Sequence, residues 1–94
     1  MARKSPLNSD EAQVIALNAL AFLAADGDRL RRFLGLTGLT PEAIRAHVIE
    51  LSFLYGVLEH LRADQSLLLI FTEQQGLEPG VIDSACRLLE EATA

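Results

Sequence analysis

The stretch Asp26-Gly27-Asp28-Arg29-Leu30-Arg31-Arg32-Phe33-Leu34-Gly35-Leu36-Thr37-Gly38-Leu39-Thr40-Pro41 carries the punctuation of one complete helix and the start of another. An Asp at its head can accept hydrogen bonds from the free N–H groups of a first turn. Gly38 stands where a helix end favours a left-handed residue, and Leu39 supplies the apolar contact that closes such an end. Thr40 and Pro41 read as N-cap and first residue of the next helix, because a proline there loses no bonded N–H. The same order recurs at Asp64, Leu68, Phe71, Gly76, Leu77 and Pro79.

Extended outward, an offset of 38 residues aligns 14–51 with 52–89 without a gap and gives 11 identical pairs. Five are Leu pairs, cheap in a leucine-rich chain, but the Asp, Phe, Gly, Pro and Ile pairs fall at structurally meaningful places. Each copy predicts three helices: about 10–25, 28–36 and 41–49 in the first, about 52–63, 65–75 and 79–93 in the second. No period-2 segment interrupts them. The expectation is an all-α, compact six-helix bundle built from two tandem three-helix units, 14–51 and 52–89. Residues 1–9 read as a mobile leader and 10–94 as a single helical domain. Asn18 and Gly56 are equivalent and interrupt the apolar first helices, where Gly costs about 1 kcal/mol relative to Ala. Close helix–helix approach at Gly56 is the expected compensation.

Composition narrows the classes. Ninety-four residues, half of them apolar, suit one folded domain rather than a disordered tail. One Cys cannot form an internal disulfide or a Cys-rich zinc site, so a reducing, cytoplasmic setting is expected. Ser9, Asp10 and Glu11 stand where a signal peptide needs apolar residues. The longest apolar stretch, Val14 to Ala25, is 12 residues, short of the roughly 20 a bilayer requires, and reads as a buried core helix. The formal charge of −5 has the wrong sign for neutralising many phosphates. It resides wholly in 51–94, where Arg62 and Arg87 face seven acids, while 1–50 carries six of each sign.

The second helices differ in their outward positions. Arg29, Arg31 and Arg32 in copy one correspond to Leu67, Leu69 and Ile70 in copy two. The run Leu67-Leu68-Leu69-Ile70-Phe71 surrounds its helix with apolar side chains, so either the other helices wrap it or it forms an interface. Leu67, Leu69, Ile70, Arg29, Arg31 and Arg32 are therefore the candidate surfaces for an unknown protein partner or for self-association.

Chemistry finds little purchase. His47 with Glu50 and His60 with Asp64 have ligand-like spacings, but each pair is short of the three or four ligands of a zinc site. Cys86 replaces Val48 of the other copy on an apolar face and reads as a packing thiol. Ser52, Ser66 and Ser84 lack a nucleophile-elbow context, and Gly35, Gly38 and Gly56 do not form a phosphate loop. No catalytic residue, metal or cofactor is expected. The alternative is nucleic-acid binding by 29–48, which is helix-turn-helix-like, with Arg29, Arg31, Arg32 and Arg45 supplying positive charge. Against it stand Glu42 near the start of the would-be recognition helix and the same turn in acidic copy two, 76–79.

The order Leu20-Ala21-Phe22-Leu23-Ala24-Ala25-Asp26, Leu30, Arg32-Phe33-Leu34, Thr37-Gly38-Leu39, Pro41, Leu67-Leu68-Leu69, Phe71, Gly76-Leu77 and Pro79 resembles a family of short alphaproteobacterial proteins, domain of unknown function number 3572. The resemblance covers about residues 12–90 and implies a small, cytoplasmic, all-helical bacterial protein with no activity or site residue to carry over. Gly27 departs from it, since proline often follows the Asp there. The sequence therefore reads as a non-enzymatic protein–protein interaction module.

Overall fold

Asn8 begins the fold with a reciprocal cap. Its side chain accepts from the Glu11 N–H at 2.8 Å, and its own N–H donates to the Glu11 carboxylate at 3.0 Å. The computed structural model describes residues 7–93, in which six helices follow: α1 (Ser9–Ala24), α2 (Gly27–Thr37), α3 (Pro41–His47), α4 (Leu51–Arg62), α5 (Gln65–Gln75) and α6 (Gly80–Thr93). The fold is all-α, with no strand among the described residues. Leu7 packs half-buried against the core, so the folded unit starts before Asp10, and 1–6 of the expected leader lie outside the described residues.

The paired joints are built as their residues dictate. Asp26 Oδ1 accepts from the N–H groups of Asp28 and Arg29 at 3.0 and 3.1 Å, and Asp64 Oδ1 accepts from that of Leu67 at 3.2 Å. The bond from the Arg29 N–H, followed by the positive charge of Arg29, lowers the pKa of Asp26 from its ordinary 3.8. Gly38 and Gly76 end α2 and α5 at φ of 74° and 67°, the left-handed conformation in which a side chain is strained. Thr40 Oγ1 caps α3 by accepting from the Ala43 N–H at 3.1 Å.

Helices α1, α4 and α6 pack against one another, α2 leans on α1, and α5 leans on α4. The core is drawn mainly from Ala12, Ala16, Ala19 and Leu23 of α1, Leu54, Val57, Leu58 and Leu61 of α4, and Ile82, Ala85, Cys86 and Leu89 of α6. Asp83, Arg87, Glu90 and Glu91 lie on the outside of α6, as its periodicity predicts. Phe33 of α2 and Phe71 of α5 are buried, whereas Leu30 and its repeat-equivalent Leu68 are only half-buried. The molecule extends 45 × 28 × 18 Å.

Two expectations are corrected. A Cβ built at Gly56 would meet nothing within 4 Å, so no neighbouring helix approaches there and its helix-propensity cost is uncompensated by packing. The third helix of the first half is also shorter than expected. It ends at His47 rather than Ile49, contributes no buried residue, and leaves Ile49 81% exposed, whereas α6 buries four side chains.

Candidate functional site

The brevity of α3 leaves one flank of α4 uncovered, and an apolar groove of about 410 Å³ opens there. Phe33 from α2, Leu39 from the turn, and Phe53, Gly56 and Val57 from α4 line it, with Thr37, His47, Glu50 and Ser52 at its polar edge. Thr37 is held by donating its hydroxyl to the Phe33 carbonyl at 2.7 Å, and its oxygen accepts from the Leu39 N–H at 3.3 Å. His47 Nδ1 and Glu50 Oε2 lie 2.9 Å apart on the segment entering α4. The Glu50 carboxylate thus faces the imidazole and makes no cap to α4. Gly56 widens the groove because it has no side chain to place in it.

A second cleft, of about 290 Å³, brings together three of the residues singled out in the sequence: Arg29, Arg32 and Leu67, with Asp28, His60 and Asp64. The guanidinium of Arg29 sits 4.6 Å from the centre of the Phe22 ring, which packs on Phe71 at 5.3 Å. His60 meets Phe33 edge-on at 4.9 Å, and its Nε2 is buried without a hydrogen-bond partner. Burial first, and the nearby Arg32 charge, lower its pKa below 6.5 against the opposing pull of Asp64. Both carboxylates of this cleft are engaged: Asp64 caps α5, and Asp28 pairs with Arg31. His47 and His60 each stand beside one carboxylate, and no group of three or more metal-ligating side chains occurs among the described residues.

The remaining candidates divide. Leu67 is buried at 8%, so it belongs to the core and not to a partner surface, while Leu69 and Ile70 are exposed on the outer side of α5. The helix is therefore neither central nor bare, one face being packed and the other open. Cys86 is 1% exposed, and burial pushes its thiol up to about 11 although the positive charge of Arg62 pulls the other way. That state suits packing and opposes nucleophilic chemistry.

Two features escaped the sequence reading. Sequence patterning gives Leu39 a capping role and Gly56 a helix-crossing role and singles out neither Phe53 nor Val57, because the signal for the groove lies in how early α3 stops. The outer face of α1 was read as core. It is exposed at Val14, Leu17, Ala21 and Ala24, with Val14 at 56%. An all-round apolar helix has no periodicity to say which face is covered.

A family model described as "Protein of unknown function (DUF3572)" matches residues 9–92. The chain belongs to that family. The match runs from the first residue of α1 to the last turn of α6, so all six helices are part of what defines the family. No curated protein and no solved structure gives a significant match. No helix among the described residues is long and apolar enough to cross a membrane.

Proposed function

We propose that this member of the DUF3572 family is a non-enzymatic interaction module whose α2–α4 groove receives an apolar segment of another protein. The observation that carries the reading is the groove itself, an apolar concavity of about 410 Å³ floored by Phe33, Phe53 and Val57. That volume lies within the roughly 300–1,000 Å³ of pockets that bind compact ligands. Its counterpart under the 38-residue offset supports the occupant's character. Leu77 and Ile15, equivalent to Leu39 and Phe53, form a cleft flanked by Leu7 of the same chain. A partner supplying an aliphatic side chain would take in the groove the place that Leu7 takes in that cleft.

The repeated joints at Asp26 and Asp64 and at Gly38 and Gly76 support a duplicated origin in two three-helix units, the first with a shortened third helix. A lone buried thiol fits a reducing, cytoplasmic setting in a bacterium, here part of the proposal. The nucleic-acid alternative over 29–48 draws less support. The would-be recognition helix α3 has seven residues, Arg45 lies 3.9 Å from Glu42, and Arg31 is paired with Asp28.

An NMR titration with an amphipathic peptide carrying Leu and Phe anchors tests the proposal. Shifts centred on Phe53, Gly56 and Val57, abolished by Gly56→Leu, are expected. An absence of shifts at millimolar peptide, or shifts centred on α1, would overturn it.

A further inference from the structure

The outer face of α1 has the form of a self-complementary seam. Asp10, Val14, Leu17, Ala21 and Ala24 recur at alternating steps of four and three, the spacing of residues that meet along a coiled-coil contact. All five are exposed, and the opposite face of the same helix is packed into the core through Ala12, Ile15, Ala16, Ala19, Phe22 and Leu23. The helix is thus fixed in place by one face while presenting a second apolar face outward.

The order of sizes along the seam identifies its occupant. The large side chains, Val14 and Leu17, lie toward the N-terminal half, and the small ones, Ala21 and Ala24, toward the C-terminal half. In an antiparallel pair related by a two-fold axis, Val14 of one copy faces Ala24 of the other and Leu17 faces Ala21. Each large side chain then meets a small one, twice over, as an isologous interface requires. Charge follows the same polarity. The seam begins at Asp10 and Glu11 and ends beside the start of α2, where Arg29, Arg31 and Arg32 stand against Asp26 and Asp28, a net charge of +1. Antiparallel pairing sets the acidic end of one copy against the basic end of the other at both ends, and it opposes the helix dipoles favourably. A parallel pair would superpose like ends and stack large on large.

We infer that the exposed face of α1 is a homodimer surface, pairing antiparallel with α1 of a second copy. This inference is independent of the groove, whose lining residues lie on α2, α4, the last residue of α3 and the connections flanking it. Fifteen residues span about 21 Å, and one helix pair of that length covers less than the roughly 1,200 Å² at the lower end of stable interfaces. The dimer is therefore expected to dissociate between roughly 10 µM and 1 mM rather than to be obligate.

Sedimentation equilibrium of the full chain tests this. The mass is expected to rise from the 10.2 kDa monomer toward twice that value across the micromolar to millimolar range. Val14→Glu/Leu17→Glu, which alters only exposed positions, should retain the helical circular-dichroism spectrum and sediment as a monomer throughout. Leu69→Asp/Ile70→Asp should associate as the native chain does. Orientation is read by oxidising a mixture of Val14→Cys and Ala24→Cys chains, in which the mixed disulfide should form faster than either homodimer. A monomer at 1 mM, association that survives Val14→Glu/Leu17→Glu, association abolished by the α5 pair, or preferred Val14→Cys homodimers would each overturn the proposal.

Discussion

Arg62 of α4 and Asp83 of α6 form the one ion pair among the described residues that joins two helices, with Arg62 Nε 3.0 Å from Asp83 Oδ1. The same guanidinium reaches Glu59 through Nη1 at 2.8 Å. One exposed side chain thereby clamps two of the three helices that build the core. Asp83→Ala should cost about 0.5 kcal/mol, as partly solvated pairs do. Arg62→Ala should cost more, because it also removes the pair with Glu59 and the packed stem. A urea double-mutant cycle measures the difference, and equal single-mutant costs would contradict the clamp.

Gly56 and Gly38 should respond oppositely to alanine. At Gly56 the helix is regular and the added methyl meets nothing within 4 Å, so Gly56→Ala should stabilise by about 1 kcal/mol. At Gly38 the φ of 74° is strained for any side chain, so Gly38→Ala should destabilise by about 1 kcal/mol. Thermal unfolding of the two variants reads both signs.

Helix α5 should tolerate charge on one face only. Leu69→Asp/Ile70→Asp leaves a folded domain because both positions are exposed, whereas Leu67→Asp places a carboxylate in a site 8% exposed and should unfold it. Circular dichroism at 25 °C distinguishes the two.

Stability should depend on pH through His60. Its folded pKa lies below the 6.5 of the unfolded chain, so between these values the unfolded state binds more protons. The stabilisation is fully present above about pH 7 and is lost as pH falls through 6.5 toward the folded value. Asp26, lowered from 3.8, contributes its own loss only at still lower pH. His60→Phe should flatten the melting temperature between pH 7 and 5.

The thiol of Cys86, pushed up to about 11 and 1% exposed, should resist a disulfide reagent at pH 8 until the domain opens. Its modification rate should rise in step with urea unfolding, and immediate reaction in the native protein would contradict the burial.

The joints of the fold were legible because single residues build them: Asp26, Gly38, Thr40, Asp64 and Gly76 each act within a few positions of chain. The extent of α6 was legible too, since its polar residues all fall on one side. What lay beyond the sequence were the choices made by packing. Leu67 and Leu69 are both leucines of one apolar run, and only the placement of α5 against α4 decides which is buried. Val14 and Ile15 differ in the same way on α1. The groove was hidden for another reason. It arises from the absence of helix at Val48 and Ile49, whose apolar character would equally suit one more turn.

The 18 Å depth of the molecule is that of about two helices laid one upon the other. A sheaf so thin has no middle layer, so every helix is also a wall and none is surrounded on all sides. Half of the side chains are apolar, and a two-layered sheaf cannot shelter that many. The excess stands on the outside at Val14, Leu17, Leu36, Ile49, Leu69 and Ile70. A molecule of these dimensions gains from company, and a second layer of protein laid on its broad faces would complete what its own thickness leaves unfinished.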